Sequence, residues 1–157
     1  MVATSEAMVV DASVAAKWHL GDEDHGSEAL SVLDQFNAGE LVLFAPEQIR
    51  YEIASTLASA TRGSNPRVDR VIAERALARF LSLNLETERS DDLILDAFTL
   101  VHEHNIALYD ALYLALSQRL RIPLITAENR LYQRIKHLPG IIWLGDYRPA
   151  GASLPGA

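Results

Sequence analysis

The sequence predicts an α/β fold in which one central, mostly parallel sheet is flanked by helices on both faces. Short apolar segments alternate with segments of helical spacing, which is typical of strands joined by crossover helices. Most of the apolar segments are continuous, as strands buried on both faces require. The 157 residues are 49% hydrophobic, which suits one domain with a full core. There is no internal repeat and no sign of a second domain.

The predicted strands are short runs of apolar residues bounded by turn residues. Four of them are continuous, whereas the third alternates apolar and polar residues with a period of two. In chain order, the predicted strands cover 8–10, 41–45, 83–87, 123–126 and 141–144.

The segments between these strands have apolar residues three and four positions apart, which predicts helices. Pro46 suits the first turn of a helix. Segment 109–120 is apolar almost all round, which predicts a helix buried on every side. In chain order, the predicted helices cover 12–18, 27–36, 46–62, 67–81, 90–104, 109–120 and 127–137.

The predicted domain covers residues 8–147. Residues 1–7 lack the basic start and long apolar region of a secretory signal, so we expect a loose N-terminal extension. Residues 148–157 are rich in Pro, Gly and Ala, which predicts a disordered tail. No apolar run approaches the ~18 residues that span a bilayer. Because the chain also has no cysteine, we expect a cytoplasmic protein that does not contact a membrane.

The net charge is −7, from 21 acidic and 14 basic residues. Proteins that bind nucleic acid through their overall field are usually basic. Any contact with nucleic acid would therefore need a local basic patch, or metal ions at an acidic site. Lys17, just after Asp11, and Arg62 and Arg67, beside the break at 63–66, are candidate RNA contacts. Ordinary solvated charge is the alternative interpretation of these three residues.

Four acidic residues are predicted to meet at one rim of the sheet. Asp11 follows the first strand, and Glu128 follows the strand that ends at Thr126. Ligands of open α/β sheets bind outside these carboxyl ends of the strands. Asp110 opens the buried helix, and Glu52 flanks the inward stripe of another helix.

Acids gathered at one rim would raise each other's pKa values unless a cation neutralised them. Carboxylate ligands of this kind suit Mg²⁺ or Mn²⁺. Such ions bind substrate phosphates and activate a water molecule. The convergence of the four acids therefore predicts a metal-dependent site for phosphate chemistry.

Each acid also has a purely structural explanation. Asp11 could cap the helix that follows it. Asp110 and Glu128 could be first-turn acids that the helix dipole favours. Glu52 could extend into solvent. Taken singly, the structural explanation is favoured for Asp110 and Glu128, and it is the joint convergence that favours a metal site.

Four segments together resemble the PIN-domain family, and most closely its VapC-type toxins of prokaryotic toxin–antitoxin pairs. The resemblance extends over about residues 8–147, and the ordered set is more specific than any one segment. The segments are Val-Val-Asp-Ala-Ser at 9–13 with Lys17 and Trp18, Tyr-Glu at 51–52, Tyr-Asp-Ala-Leu-Tyr-Leu-Ala-Leu at 109–116, and Leu-Ile-Thr-Ala-Glu at 124–128.

The resemblance implies a Mg²⁺-dependent (or Mn²⁺-dependent) endoribonuclease, the toxin of a VapBC-type pair, which hydrolyses RNA phosphodiester bonds with metal-activated water. It also implies homodimers and a small VapB-type antitoxin that masks or fills the active site. The catalytic and metal-binding acids of the family map onto Asp11, Glu52 and Asp110. The fourth acid, usually the aspartate of a Thr-Ala-Asp motif, falls on Glu128, whose carboxylate reaches one methylene further. Ser13 and Thr126 correspond to polar residues that often line the site.

Three alternative functions remain open at this point. A haloacid-dehalogenase-like phosphatase begins with a strand ending in Asp-x-Asp, but Ser13 occupies the second position here. A receiver-like module needs a lysine after a late strand, where this chain has Ala127 and Glu128. A degenerate PIN domain that binds a partner without cutting RNA would differ in catalysis, and only Glu128 favours it.

Overall fold

Five parallel strands form the central sheet, in the spatial order β3-β2-β1-β4-β5. The computed structural model describes residues 5–21 and 23–149. All four neighbouring pairs of strands are parallel, so the predicted α/β fold is confirmed. The strands are β1 (Glu6–Val10), β2 (Leu41–Pro46), β3 (Glu86–Glu88), β4 (Leu124–Thr126) and β5 (Ile141–Trp143).

Seven α-helices connect the strands within the described residues. Crossovers between parallel strands are right-handed, so the helices before β3 and those after it cover opposite faces of the sheet. None of the described helices is long and apolar enough to cross a membrane. The helices are α1 (Ala12–Ala15), α2 (Gly26–Asn37), α3 (Ile49–Ala60), α4 (Arg70–Leu81), α5 (Ile94–His104), α6 (Leu108–Leu120) and α7 (Asn129–Ile135).

The direction in which the chain winds reverses between β1 and β4. The chain first moves outward from β1 to β3, and then returns across the sheet to β4 and β5. Val10 is in register with Ile125, so the residues that follow β1 and β4 emerge side by side. Such a switch point is where open α/β sheets bind their ligands.

Helix α6 is the most deeply buried helix in the described part of the chain. Its residues 111–117 are all buried, and Tyr113 is completely inaccessible. Helix α6 contacts β1, β2 and β4, so it spans the switch point. The predicted buried helix is therefore confirmed for its central part, but not at its ends: Tyr109 is 63% exposed at the start, and Gln118 and Arg119 are exposed near the end.

Strand β1 begins earlier than predicted. Glu6 and Ala7 pair with Leu41 and Val42, so the predicted loose extension over 1–7 is wrong for these two residues. Residues 1–4, and residues 150–157 of the predicted tail, lie outside the described residues.

Three further element boundaries differ from the prediction. Pro46 ends β2 opposite Glu88 instead of opening α3, because a proline at a strand end removes no needed ladder donor. Strand β3 covers Glu86–Glu88 rather than 83–87, because its partner in the sheet is the last part of β2. Helix α4 begins at Arg70 rather than at 67, because the Asp69 carboxylate caps it by accepting from the Val71 amide over 2.8 Å.

Candidate active site

Asp11 lies at the end of β1 and is only 3% exposed. Its Oδ2 accepts hydrogen bonds from Ser13 Oγ over 2.6 Å and from Thr126 Oγ1 over 2.8 Å. Burial raises the pKa of Asp11, while these two hydroxyls and the Ala12 amide oppose the rise. The carboxylate occupies the N-cap position of α1 without making a capping hydrogen bond, so the capping explanation for Asp11 is wrong.

The hydroxyls of Ser13 and Thr126 join the loops that follow β1 and β4. Ser13 Oγ accepts from the Ala127 amide over 2.9 Å, and Thr126 Oγ1 accepts from the Glu128 amide over 3.0 Å. Each hydroxyl therefore bonds a backbone amide on one side and the Asp11 carboxylate on the other. This arrangement fixes the position of Asp11 relative to the start of α7.

Glu128 is exposed, and its side chain caps α7. Its Oε1 accepts from the Arg130 amide over 3.1 Å, a typical N-cap hydrogen bond. Its charge also raises the pKa values of Asp11 and Asp110, and Glu128 lines the same cleft as Asp110. Glu128 thus has the structural role expected of a helix-start acid, one position earlier than the predicted first turn, and it still faces the other acids.

Glu52 is held in place by two buried polar side chains. Its Oε1 accepts from Gln48 Nε2 over 2.9 Å and from the Tyr113 hydroxyl over 3.0 Å. Burial raises the pKa of Glu52, the two hydrogen bonds lower it, and the charge of Asp11 raises it further. The alternative in which Glu52 extends into solvent is therefore wrong. Gln48 also donates to the carbonyl of Tyr109 over 2.9 Å, which links α3 to the start of α6.

Sequence reasoning missed Gln48 and Tyr113 as partners of Glu52. A signal for Gln48 exists, since it precedes Glu52 by four residues, the spacing of neighbours on a helix. Tyr113 stands three residues after Asp110 in the same apolar run, and the sequence carries no sign that its hydroxyl turns toward α3.

Asp110 lies in the first turn of α6 and is half-buried. Its pKa is raised to about 7, first by burial and then by the charges of Asp11, Glu128 and Glu52, while the charge of Arg130 opposes the rise. No side chain among the described residues donates a hydrogen bond to its carboxylate. Burial and the charges of three other acids therefore act on Asp110 without a hydrogen bond from a described side chain to offset them.

An open cleft of about 470 Å³ lies beside Asp110 and Glu128. Two arginines of α7, Arg130 and Arg134, line the cleft and were not predicted from the sequence. The signal available was their position two and six residues after Glu128. The full lining is Asn105, Ile106, Ala107, Asp110, Glu128, Arg130, Leu131 and Arg134.

The three basic residues predicted to contact RNA do not line this cleft. Lys17 Nζ and Arg67 Nη2 each lie 3.1 Å from a carboxylate oxygen of Glu23. Glu23 thus pairs with both of these cations. Arg62 is exposed at the end of α3.

The four acids fit a hard divalent cation in their chemistry. Every candidate ligand is a carboxylate, which suits Mg²⁺ or Mn²⁺, and a cation would offset the repulsion that raises the pKa of Asp110. Over 5–21 and 23–149, no three acidic or histidine side chains are already grouped closely enough to hold one ion. The carboxylates would therefore have to move closer together to share a cation.

Comparison with known proteins identifies a family model and a curated relative that cover the residues of this site. The model of the PIN domain matches residues 8–137, which contain all four acids. A curated relative, Ribonuclease VapC3 of Pyrobaculum aerophilum, is 26% identical over 135 residues, covering 83% of this chain and 96% of the relative.

Solved structures share the fold at low sequence identity. PAE2754 from Pyrobaculum aerophilum superimposes with a TM-score of 0.63 at 21% identity, covering 90% of this chain and 93% of its own. VapC20 of Mycobacterium tuberculosis, described as a sarcin-ricin loop cleaving toxin, gives 0.59 at 18% identity, covering 80% and 93%. A toxin–antitoxin complex from Klebsiella pneumoniae gives 0.57 at 16% identity, covering 86% and 95%.

Proposed function

The chain belongs to the PIN-domain family, and from this premise we propose that it is a metal-dependent endoribonuclease of the VapC type. The observation that carries the proposal is the convergence of four acids at the switch point of the sheet, where burial and then the charges of the other three raise the pKa of Asp110 to about 7. Acids forced together in this way are typical of a site that binds a cation. The name of the Pyrobaculum relative supports ribonuclease activity.

The proposed metal ligands are Asp11 and Asp110, with Glu52 and Glu128 beside them. When bound, Mg²⁺ or Mn²⁺ would supply positive charge for the scissile phosphate and promote attack by water. The two hydroxyls on Asp11 hold its carboxylate in one orientation, and Gln48 with Tyr113 does the same for Glu52. Asp110 would release its proton when the cation binds.

The experiment that tests this function is cleavage of a defined panel of RNAs with Mg²⁺, with Mn²⁺ and with a chelator. We expect cleavage that requires the cation, that stops in the chelator and that returns when Mg²⁺ is added back. Asp110→Asn should abolish it, whereas Asp34→Asn, which changes an exposed aspartate of α2, should not. Tight metal binding without cleavage of any RNA would instead favour a degenerate domain that only binds a partner.

We also propose that the protein forms homodimers. Helix α5 and the start of α6 present large apolar side chains to solvent, with Leu95 82%, Phe98 61% and Tyr109 63% exposed. Apolar surface concentrated in this way is typical of an interface between proteins. Because Tyr109 adjoins Asp110, such a dimer would bring the two active sites close to the shared surface.

A VapB-type antitoxin is the second proposed partner. The likeness to a toxin–antitoxin complex from Klebsiella pneumoniae supports it, since that structure has the same fold. A negatively charged nuclease site left open in the cell would act on cellular RNA, and a partner that covers it would prevent this. The proposed RNA substrate also makes the cytoplasm the proposed site of action.

A further inference from the structure

We propose that Arg130 and Arg134 form a binding site for a backbone phosphate of single-stranded RNA, directly beside the acidic centre. The inference rests on the proposed function, since it assigns the next contact of the same substrate. It gives the cleft two ends with opposite charge: carboxylates for the cation at the reacting phosphate, and guanidinium groups for a neighbouring phosphate.

The first support is the position of the two arginines. They are four residues apart on α7, so their side chains lie on the same face of the helix, with Cβ atoms about 5–6 Å apart. Both line the cleft that also contains Asp110 and Glu128. A chain that enters this cleft to reach the acids therefore passes the arginines.

The second support is that both side chains are uncommitted. Across the described part of the chain, neither guanidinium makes an ion pair or a hydrogen bond, although Arg130 stands next to two acids. Other cations are engaged: Lys17 pairs with Glu23, and Arg119 pairs with Asp96 over 3.3 Å. Both guanidinium groups line one cleft, so their hydrogen-bond donors are available to an anionic ligand that enters it.

The charge of the molecule makes a local site necessary. The net charge of −7 repels RNA at long range, so phosphate contacts must come from a small basic patch. Arg130 already acts on the acidic centre, because its charge lowers the pKa of Asp110. A planar guanidinium can donate two parallel hydrogen bonds to one phosphate, which an ammonium cannot.

RNA fits this site better than an acidic protein segment. A protein carboxylate entering the cleft would meet Asp110 and Glu128 without a cation of its own. The backbone of RNA has a phosphate at every nucleotide, so one can lie at the proposed cation while the next lies at the arginines.

The test is binding of a fluorescently labelled, single-stranded oligoribonucleotide of mixed sequence, measured in a chelator so that no cleavage occurs. Affinity is measured from about 20 to about 200 mM KCl. The slope of the logarithm of the binding constant against the logarithm of the salt concentration, called the salt slope here, is proportional to the number of phosphate contacts. The variants are Arg130→Gln, Arg134→Gln and the double variant, with Arg130→Lys to retain the charge. Lys136→Gln is the matched control, since it removes one positive charge from the exposed end of the same helix, where the Lys136 ammonium donates to the side chain of Gln133.

We expect each Arg→Gln variant to bind RNA several-fold more weakly, with the salt slope reduced by about 0.7 per arginine removed. Arg130→Lys should keep most of the slope, and Lys136→Gln should leave both affinity and slope unchanged. Equal slopes for the double variant and its parent overturn the inference, as does an effect of Lys136→Gln equal to that of Arg134→Gln. Failure of the parent to bind RNA even at the lowest salt also overturns it.

Failure of this inference is distinguishable from failure of the proposed function. If the parent cleaves RNA with Mg²⁺ and the arginine variants bind RNA as well as the parent, only the phosphate site is wrong. If binding depends on the arginines but no divalent cation supports cleavage, the phosphate site stands and the nuclease function is wrong.

Discussion

Thr126 donates its hydroxyl proton to Oδ2 of Asp11 over 2.8 Å, and this hydrogen bond joins the end of β4 to the end of β1. The Thr126 hydroxyl oxygen, Oγ1, in turn accepts from the Glu128 amide over 3.0 Å. Because Thr126 is completely buried, a water molecule cannot easily take over the hydrogen bonds of its hydroxyl. One hydroxyl therefore positions two of the four acids at the switch point.

Thr126→Val should destabilise the protein by about 1–3 kcal/mol, because it removes one of the two hydroxyls that donate to the buried Asp11 carboxylate and leaves the Glu128 amide without its partner. Urea unfolding measures the loss. Thr126→Ser keeps the hydroxyl and is the matched control, with a smaller loss from the missing methyl group. A Val variant as stable as the parent would show that this hydrogen bond does not hold the site together.

The raised pKa of Asp110 predicts a specific dependence of stability on pH. The pKa of Asp110 is about 7 in the folded protein, against an ordinary value of 3.8. The free energy of unfolding is therefore unaffected by this group below pH 3.8, where it is protonated in both states, and falls as pH rises from 3.8 through 7. Asp110→Asn removes this loss, so the variant should gain stability over the parent between pH 5 and pH 8. The gain should be on the order of 1–2 kcal/mol after allowance for solvent screening.

Urea unfolding of metal-free protein at a series of pH values measures this difference. Asp34→Asn is the control, since Asp34 is an exposed aspartate of α2. If Asp110→Asn and the parent kept a constant difference from pH 5 to pH 8, the raised pKa of Asp110 would be wrong.

Glu128 has two roles that substitutions can separate. Glu128→Gln keeps an oxygen that can accept from the Arg130 amide, so stability should hold while affinity for Mg²⁺ falls. Glu128→Ala should lose about 1 kcal/mol in addition, because the cap of α7 is removed. Calorimetric metal titration and thermal unfolding measure the two effects. Unchanged affinity for Mg²⁺ in the Gln variant would restrict Glu128 to capping.

The exposed apolar surface of α5 predicts that Phe98→Glu disrupts the proposed dimer. Phe98 is 61% exposed in the isolated chain, so the substitution should not disturb folding, whereas a buried charge at an interface is costly. Light scattering after size-exclusion chromatography should give twice the 17.3 kDa chain mass for the parent and a single chain for the variant. Ile72→Glu on α4, where Ile72 is 55% exposed, is the control, and equal masses for all three proteins would refute this interface.

The sequence predicted the parts of the fold that local pattern determines. Continuous apolar runs marked most of the strands, and the all-apolar segment at 109–120 marked the buried helix α6. The expectation that Asp11 and Glu128 share one rim of the sheet followed from the general rule for the carboxyl ends of parallel strands. The boundaries at Pro46 and at 83–87 were wrong because they depend on which strand lies alongside, which local pattern does not encode.

Side-chain partners were the part of the site that the sequence did not reveal. Glu128 rather than Asp11 caps its helix: the Glu128 carboxylate accepts from the Arg130 amide, whereas the Asp11 carboxylate accepts from two hydroxyls. Lys17 and Arg67 are far apart in sequence, and nothing there indicates that Glu23 binds both. Arg130 and Arg134 became visible as a pair only when α7 was placed beside the start of α6.

The measurement that tests the central claim most directly is RNA cleavage by Asp11→Asn. Asparagine has nearly the same shape and can still accept the hydroxyl protons of Ser13 and Thr126, so the variant should fold, as far-UV circular dichroism and thermal unfolding will check. With Mg²⁺ present, its cleavage rate should fall to that of the parent in a chelator. A folded Asp11→Asn variant that cut RNA at the parental, Mg²⁺-dependent rate would contradict the account.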